Sequence, residues 1–304
     1  MGLSFCIPTY NRLTHIKKLI ESIRESIGEY PYEIIIGDGG STDGTIEYLK
    51  KQKDVVLIEI RELTGSIKAF NICFKKVKYD YVFWASDDFI IDSKVLIKCC
   101  ELMDKYTEIG MISPKFVELT KSNFPNVGSW EFLLILSKTH IFRTSVLKQI
   151  GYLDEKFRTY WVDADSHLAV LNLGHVTLFT REKGVIHTRV HDETRKSNIQ
   201  TKKAAEEEFM YYKKKWNFIN THLETSYFKR FKAKLFWSLH DKLRESCIMK
   251  NLMKKENPFA INIVDWLLQR SIIFEAKKFR HLKDFYLAQR ISNIKKENNL
   301  NDNK

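Results

Sequence analysis

Two adjacent carboxylates, Asp87 and Asp88, follow the apolar run Tyr81-Val82-Phe83-Trp84. Neighbouring acids at the end of a buried strand are costly to keep ionised unless a cation or hydrogen-bond donors compensate them. A hard divalent ion with oxygen ligands does so, and it can also bridge the two phosphates of a nucleotide diphosphate. The pair could instead cap a helix starting near Asp92-Ser93, since acids favour helix N-termini. Asp38 ends another apolar run and opens the segment Asp38-Gly39-Gly40-Ser41-Thr42-Asp43-Gly44. Its carboxylate could accept a hydrogen bond from the ring N–H of a pyrimidine base. The glycines permit a tight turn and the Ser, Thr and Asp can cap the following helix, so turn chemistry alone would also account for the segment. It is not a Walker loop, because no Gly-Lys-Ser/Thr follows.

Asp163 and Asp165 stand two apart at the expected start of a helix, just after Tyr160 and Trp161. A carboxylate in a half-apolar pocket can act as general base toward a hydroxyl, and aromatic rings suit the apolar face of a sugar. Helix capping competes with this reading, above all for Asp165. His187 closes a Gly-Val-Ile-His run and is a candidate for metal or diphosphate contact; His191 follows four residues later. The pair lacks the glutamate of a His-Glu-x-x-His zinc site, which argues against a zinc hydrolase.

Only a fold can bring these residues together. Apolar segments at 3–7, 33–36, 55–60 and 81–84 alternate with helical patterns near 12–27, 43–51 and 66–77. Such spacing implies βαβ units and a mostly parallel sheet flanked by helices. Right-handed crossovers then put every strand-to-helix loop on one edge, where α/β sheets carry their ligand crevice. That edge receives Thr9-Tyr10-Asn11, residues 38–44 and Ser86-Asp87-Asp88. Residues 108–190 are less regular, with a strand near 110–113, a mixed stretch at 130–136, a short helix after Thr144, a helix at about 163–173 and strands at 175–179 and 184–187.

At 304 residues and 44% hydrophobic, the chain can bury a full α/β core and still carry an appended region. Its uncharged apolar stretches fall far short of the roughly 20 residues of a membrane-spanning helix, and residues 3–8 read as a first strand rather than a secretory signal. Five cysteines without Cys-x-x-Cys spacing argue against a disulfide framework or structural zinc and fit a reducing cytoplasm. Residues 1–194 carry 25 Lys and Arg against 26 Asp and Glu, a balance of −1, whereas 195–304 carry 25 against 12, a balance of +13. From about residue 195 the pattern turns to basic helices. Within 226–255, Phe228, Phe231, Leu235, Leu239 and Leu243 recur at helical spacing among lysines. Such a helix could lie on an anionic membrane surface, or could pack on the preceding domain or a second subunit. Nucleic acid is the weaker match, because no recognised nucleic-acid module accompanies the charge.

The chain resembles the family 2 glycosyltransferases of the GT-A fold. The resemblance covers residues 3 to 190 and rests on Phe5 to Arg12, Asp38 to Thr45, Gly65 to Asn71, Ser86-Asp87-Asp88, Ile150 to Glu155 and Val162 to Asp165. It implies an inverting transfer from a nucleotide-diphosphate sugar, a UDP-sugar in the first instance, with Mn²⁺ or Mg²⁺ as cofactor. Pro8, Thr9, Tyr10, Asn11, Asp38, Gly40, Lys68, Asn71 and Asp87 would bind the donor, and Asp88 with His187 would hold the metal. Asp163 would be the catalytic base, with Trp161 and Asp165 toward a glycan or lipid-linked acceptor. Three positions depart from the family pattern. Ala85 stands where an acid often precedes the Asp pair, Val162 replaces the acid before the base, and Ala169 replaces an arginine. The implied organisation is a GT-A Rossmann-like catalytic domain at 1–194 and a basic helical extension at 195–304, in the cytoplasm or peripheral on the inner face of the membrane.

Overall fold

Strand β1 (Leu3–Thr9) is buried along almost its whole length, as the near-continuous apolar run of a central parallel strand requires. In the computed structural model, which describes residues 1–60, 63–118, 139–188, 198–216 and 285–287, β1 pairs in parallel with β2 (Tyr32–Asp38) on one side and β4 (Tyr81–Trp84) on the other. Strand β3 (Val55–Glu59) adds in parallel outside β2. Helices α1 (Leu13–Ile27), α2 (Thr45–Leu49) and α3 (Ser66–Phe74) make the crossovers. On α1, Ile16, Leu19, Ile20, Ile23 and Ile27 recur at three- and four-residue steps and are all buried. At about 1.5–3 kcal/mol per buried aliphatic side chain, that stripe fixes the helix to the sheet.

The second half weaves shorter strands into the same sheet. Its elements are β5 (Phe89–Ile91), α4 (Ser93–Lys105), β6 (Ile109–Glu118), β7 (His140–Arg143), α5 (Thr144–Gln149), α6 (Val162–Asn172) and β8 (Val176–His187). The strand order is β3-β2-β1-β4-β7-β6-β8-β5, with β9 (Phe285–Leu287) pairing β8. Strands β5, β7 and β9 run antiparallel to their neighbours and the rest are parallel. This is the expected α/β architecture, a mostly parallel sheet flanked by helices.

Where the sequence suggests two strands at 175–179 and 184–187, there is one irregular strand. Its pairing with β6 shifts register on either side of Lys115, next to Pro114, which has no N–H to give to a ladder. Strands β5 and β7 were not expected, being too short for a periodicity to register. The mixed stretch at 130–136 lies outside the described residues.

The chain divides into two compact units, Met1–Arg195 with Phe274–Lys304 and, separately, Lys196–Ile273. In the second, α7 spans Asn198–Lys215. The amphipathic stretch 226–255 lies outside the described residues. Within the expected helical extension, residues 285–287 form a strand of the main sheet rather than a helix. Among the described residues no helix is long and apolar enough to cross a membrane. Cys6, Cys73, Cys99 and Cys100 are buried free thiols.

Candidate active site

The first two strand-to-helix loops are stitched to each other. Asn11, in a left-handed conformation at φ 51°, donates its backbone N–H to Ser41 Oγ at 2.8 Å, and its side-chain Oδ1 accepts from Thr42 N at 2.7 Å. Leu13 N donates to Asp43 Oδ2 at 3.0 Å. Asp38, the last residue of β2, is fully buried. Its Oδ1 accepts from Gly40 N at 2.9 Å and Ser41 N at 2.7 Å, and its Oδ2 from Ser41 Oγ at 2.7 Å. Gly40 makes the turn at φ 90°, a region L side chains rarely enter. Both oxygens thus hold the turn, and Oδ2, which meets only Ser41 Oγ, keeps a lone pair for a further donor.

Strand order reverses between β1 and β4, because β2 and β3 build outward on one side of β1 and β4 lies on the other. Ligands of open α/β sheets bind at such a switch point. Here the two adjacent acids are drawn apart. Thr9 Oγ1, at the end of β1, donates to Asp87 Oδ2 at 2.9 Å. Asp88 is held from the far side of the sheet, its Oδ2 lying 3.1 Å from Nε2 of His187, the last residue of β8. Both side chains are buried, at 5% and 8% exposure. The His187 ring also meets Phe89 edge-on, with centroids 5.4 Å apart. The alternative that the Asp pair caps a helix does not hold, for α4 begins after β5 and is capped by Asp92, whose side chain accepts from Lys94 N.

Asp163 enters by another route. It stands in the first turn of α6, part-buried, with Oδ1 accepting from Ala164 N at 3.0 Å. The preceding Trp161 occupies the left-handed region at φ 61°, a costly conformation of order 1–3 kcal/mol for a bulky residue and one that clusters at ligand sites. Asp165 is only 3% exposed, among the buried residues of α6. The segment leading to α6 is clamped by α3. Asn71 Nδ2 donates to Leu153 O at 2.8 Å and to Glu155 Oε1 at 3.0 Å, while Leu153 N donates to Asn71 Oδ1 at 3.0 Å. Asn71 thus clamps α3 to the segment that leads to α6. Lys68, one turn earlier on α3, is exposed.

Beneath α6 lies a polar layer that no motif signals. His140 Nδ1 bonds Ser113 Oγ at 2.7 Å and His167 Nε2 bonds Thr177 Oγ1 at 3.1 Å. The His140 ring sits edge-on to both Trp84 and Phe142. Burial pushes both imidazoles down to about 3, and for His140 the neighbouring His167 adds to the effect. Both are neutral at physiological pH.

The Asp88–His187 pair has the donor chemistry of a cation site. The 3.1 Å between the two atoms is a hydrogen-bond distance, and a carboxylate oxygen with an imidazole nitrogen is a donor set that divalent cations accept. Among the described residues no cluster of three or more His, Cys, Asp or Glu could hold a metal.

A family model described as Glycosyl transferase family 2 matches residues 4–169. The chain belongs to glycosyl transferase family 2. Among its family 2 relatives, it is 24% identical over 196 residues to the poly(ribitol-phosphate) beta-N-acetylglucosaminyltransferase TarS of Staphylococcus aureus, a match covering 59% of this chain and 34% of TarS. It is 26% identical over 183 residues to the uncharacterized glycosyltransferase YwdF of Bacillus subtilis, covering 55% and 67%. The chain thus spans about a third of the length of TarS. In three dimensions it is similar to residues 1–349 of S. aureus TarS in complex with UDP-GlcNAc, with a TM-score of 0.55 at 21% identity over 65% of this chain and 62% of that one. The similarity fixes the GT-A fold.

Proposed function

We propose that the chain is an inverting glycosyltransferase that moves a sugar from a nucleotide-diphosphate sugar, a UDP-sugar, to an acceptor hydroxyl in cell-surface glycan or lipid-linked oligosaccharide synthesis. The observation that carries this reading is the separation of Asp87 from Asp88 at the switch point. One carboxylate is fixed by β1 and the other by β8. Asp87, oriented by Thr9, is placed to accept from the donor's ribose or sugar hydroxyls. Pro8, Tyr10, Asn11 and Gly40 line the edge where the nucleoside would lie, in a shape maintained by Asp38, and Lys68 would approach the phosphates. Asp88 and His187 would hold Mn²⁺ or Mg²⁺. When bound, the ion offsets negative charge on the departing diphosphate.

Asp163 takes the proton from the acceptor hydroxyl as that oxygen attacks the anomeric carbon and the bond to the diphosphate oxygen breaks. No covalent intermediate is required, and the configuration inverts. Trp161 would offer its ring to a sugar face on the acceptor side. TarS, named for a poly(ribitol-phosphate) acceptor and solved with UDP-GlcNAc, supports a UDP-sugar and a polymeric acceptor. The +13 balance of 195–304 would draw the protein to an anionic membrane face, which salt-sensitive cosedimentation of the intact chain with anionic vesicles would test; a salt-insensitive homo-oligomer would instead favour packing on a second subunit.

A non-catalytic sugar-nucleotide-binding protein is the competing reading, favoured by Ala85 and Val162 standing where the family pattern has acids. Release of UDP from a panel of UDP-sugars separates the two. Transfer requires turnover that depends on Asp163, whereas a binding protein holds UDP without turnover.

A further inference from the structure

We infer that Thr188 is a positioning residue that sets the aim of Asp88; the inference rests on the reading of Asp88 as a cation ligand. Thr188 lies one residue beyond the end of β8, directly across from Asp88 in the continuation of the antiparallel register Phe89↔His187 and Ile90↔Ile186. Its backbone N–H donates to Asp88 O at 3.0 Å, and its hydroxyl donates to the same carbonyl oxygen at 2.8 Å. Asp88 is therefore gripped at two points from one strand end. His187 meets its carboxylate, and Thr188 fixes the peptide from which the carboxylate projects.

The second grip matters because Asp88 sits in a turn between two short elements. Strand β4 ends at Trp84 and β5 begins at Phe89 and is three residues long. A single ladder bond at the frayed end of so short a strand leaves the Asp88 peptide plane free to tilt, and a tilt there swings the carboxylate. Two donors converging on one carbonyl fix the plane. Asp87, the preceding residue, is tied to β1 through Thr9, so Asp88 is bounded by a tether on its N-terminal neighbour and by the Thr188 grip on its own carbonyl, in the Asp88–Phe89 peptide. Groups that orient a ligand without touching the metal typically alter affinity by about 10–100-fold. Without the hydroxyl the carbonyl keeps the Thr188 backbone N–H.

The experiment measures Mn²⁺ binding by the loss of the free-ion electron paramagnetic resonance signal, in the presence of UDP, for the full chain and for Thr188→Val, Thr188→Ala and Thr188→Ser. Melting temperature and UDP binding in EDTA are recorded beside it. Thr188→Val and Thr188→Ala are expected to weaken Mn²⁺ binding by about tenfold or more and to leave UDP binding in EDTA unchanged, with Thr188→Ser restoring affinity. Two hydroxyl-free variants are used so that an early melt in one leaves the other informative. Wild-type affinity in both, with Asp88→Asn impaired, overturns the role of Thr188 and spares the cation reading. Mn²⁺ affinity equal in wild type and Asp88→Asn overturns the cation reading and the inference with it.

Discussion

Thr9 and Asp87, 78 residues apart in sequence, share a hydrogen bond of 2.9 Å across the point where the strand order reverses. The bond orients one acid of an adjacent pair independently of the other, which His187 holds. Thr9→Val removes the donor while keeping the shape of the side chain. Hydrogen bonds to charged groups contribute about 1.5–3 kcal/mol, so UDP affinity is expected to fall by about tenfold or more in isothermal titration, with Thr9→Ser close to wild type. Unchanged affinity in Thr9→Val would remove Asp87 from the donor site.

Asn71 separates a structural clamp from a donor contact. Because its amide satisfies both the N–H and the C=O of Leu153, Asn71→Leu leaves two buried backbone groups without that partner, each costing about 1–3 kcal/mol. A drop in the urea midpoint is expected, with UDP affinity preserved in the folded fraction. A donor-binding role would give the reverse pattern.

How much of this was legible in the sequence depends on the kind of signal. The strands read at 3–7, 33–36 and 81–84, observed at 3–9, 32–38 and 81–84, were legible because a parallel strand buried on both faces is a run of apolar residues ending at its polar loop. The loops carrying Asp38 and Asp87-Asp88 followed from strand ends sharing one edge. What stayed hidden is what a partner decides. The clamp between Asn71 and Leu153, 82 residues apart, has no sequence signal. His140 and His167 carry no motif, and their polar layer exists only because β6, β7 and β8 bring Ser113 and Thr177 to meet them. Thr188 became visible only once β5 was paired with β8.

The buried imidazoles give the fold an acid-sensitive stability. Both are held neutral, with values lowered from 6.5 to about 3. Between those values the unfolded chain binds more protons than the folded one, so stability falls as pH drops below about 6.5 and is insensitive to these groups above it. The slope is about 1.4 kcal/mol per pH unit for each histidine. Urea unfolding at pH 7.0 and 5.5 should show wild type losing more stability than His167→Gln. Equal losses would mean that His167 is protonated in the fold.

Asp163→Asn keeps the size of the side chain and removes its basicity. Sugar transfer is expected to fall by a factor of about 10²–10⁴ or more, with UDP binding nearly intact because Asp163 stands on α6 and not on the loops that follow β1, β2 and β4. Loss of both together would refute its assignment as the base.

The most direct test of the account is UDP release from a panel of UDP-sugars, with Mn²⁺ or Mg²⁺ and again with EDTA, comparing the intact chain with Asp88→Ala. The account expects release from one donor, abolished by EDTA and lost in Asp88→Ala while the variant remains folded. Release that is indifferent to EDTA and to Asp88→Ala would contradict it.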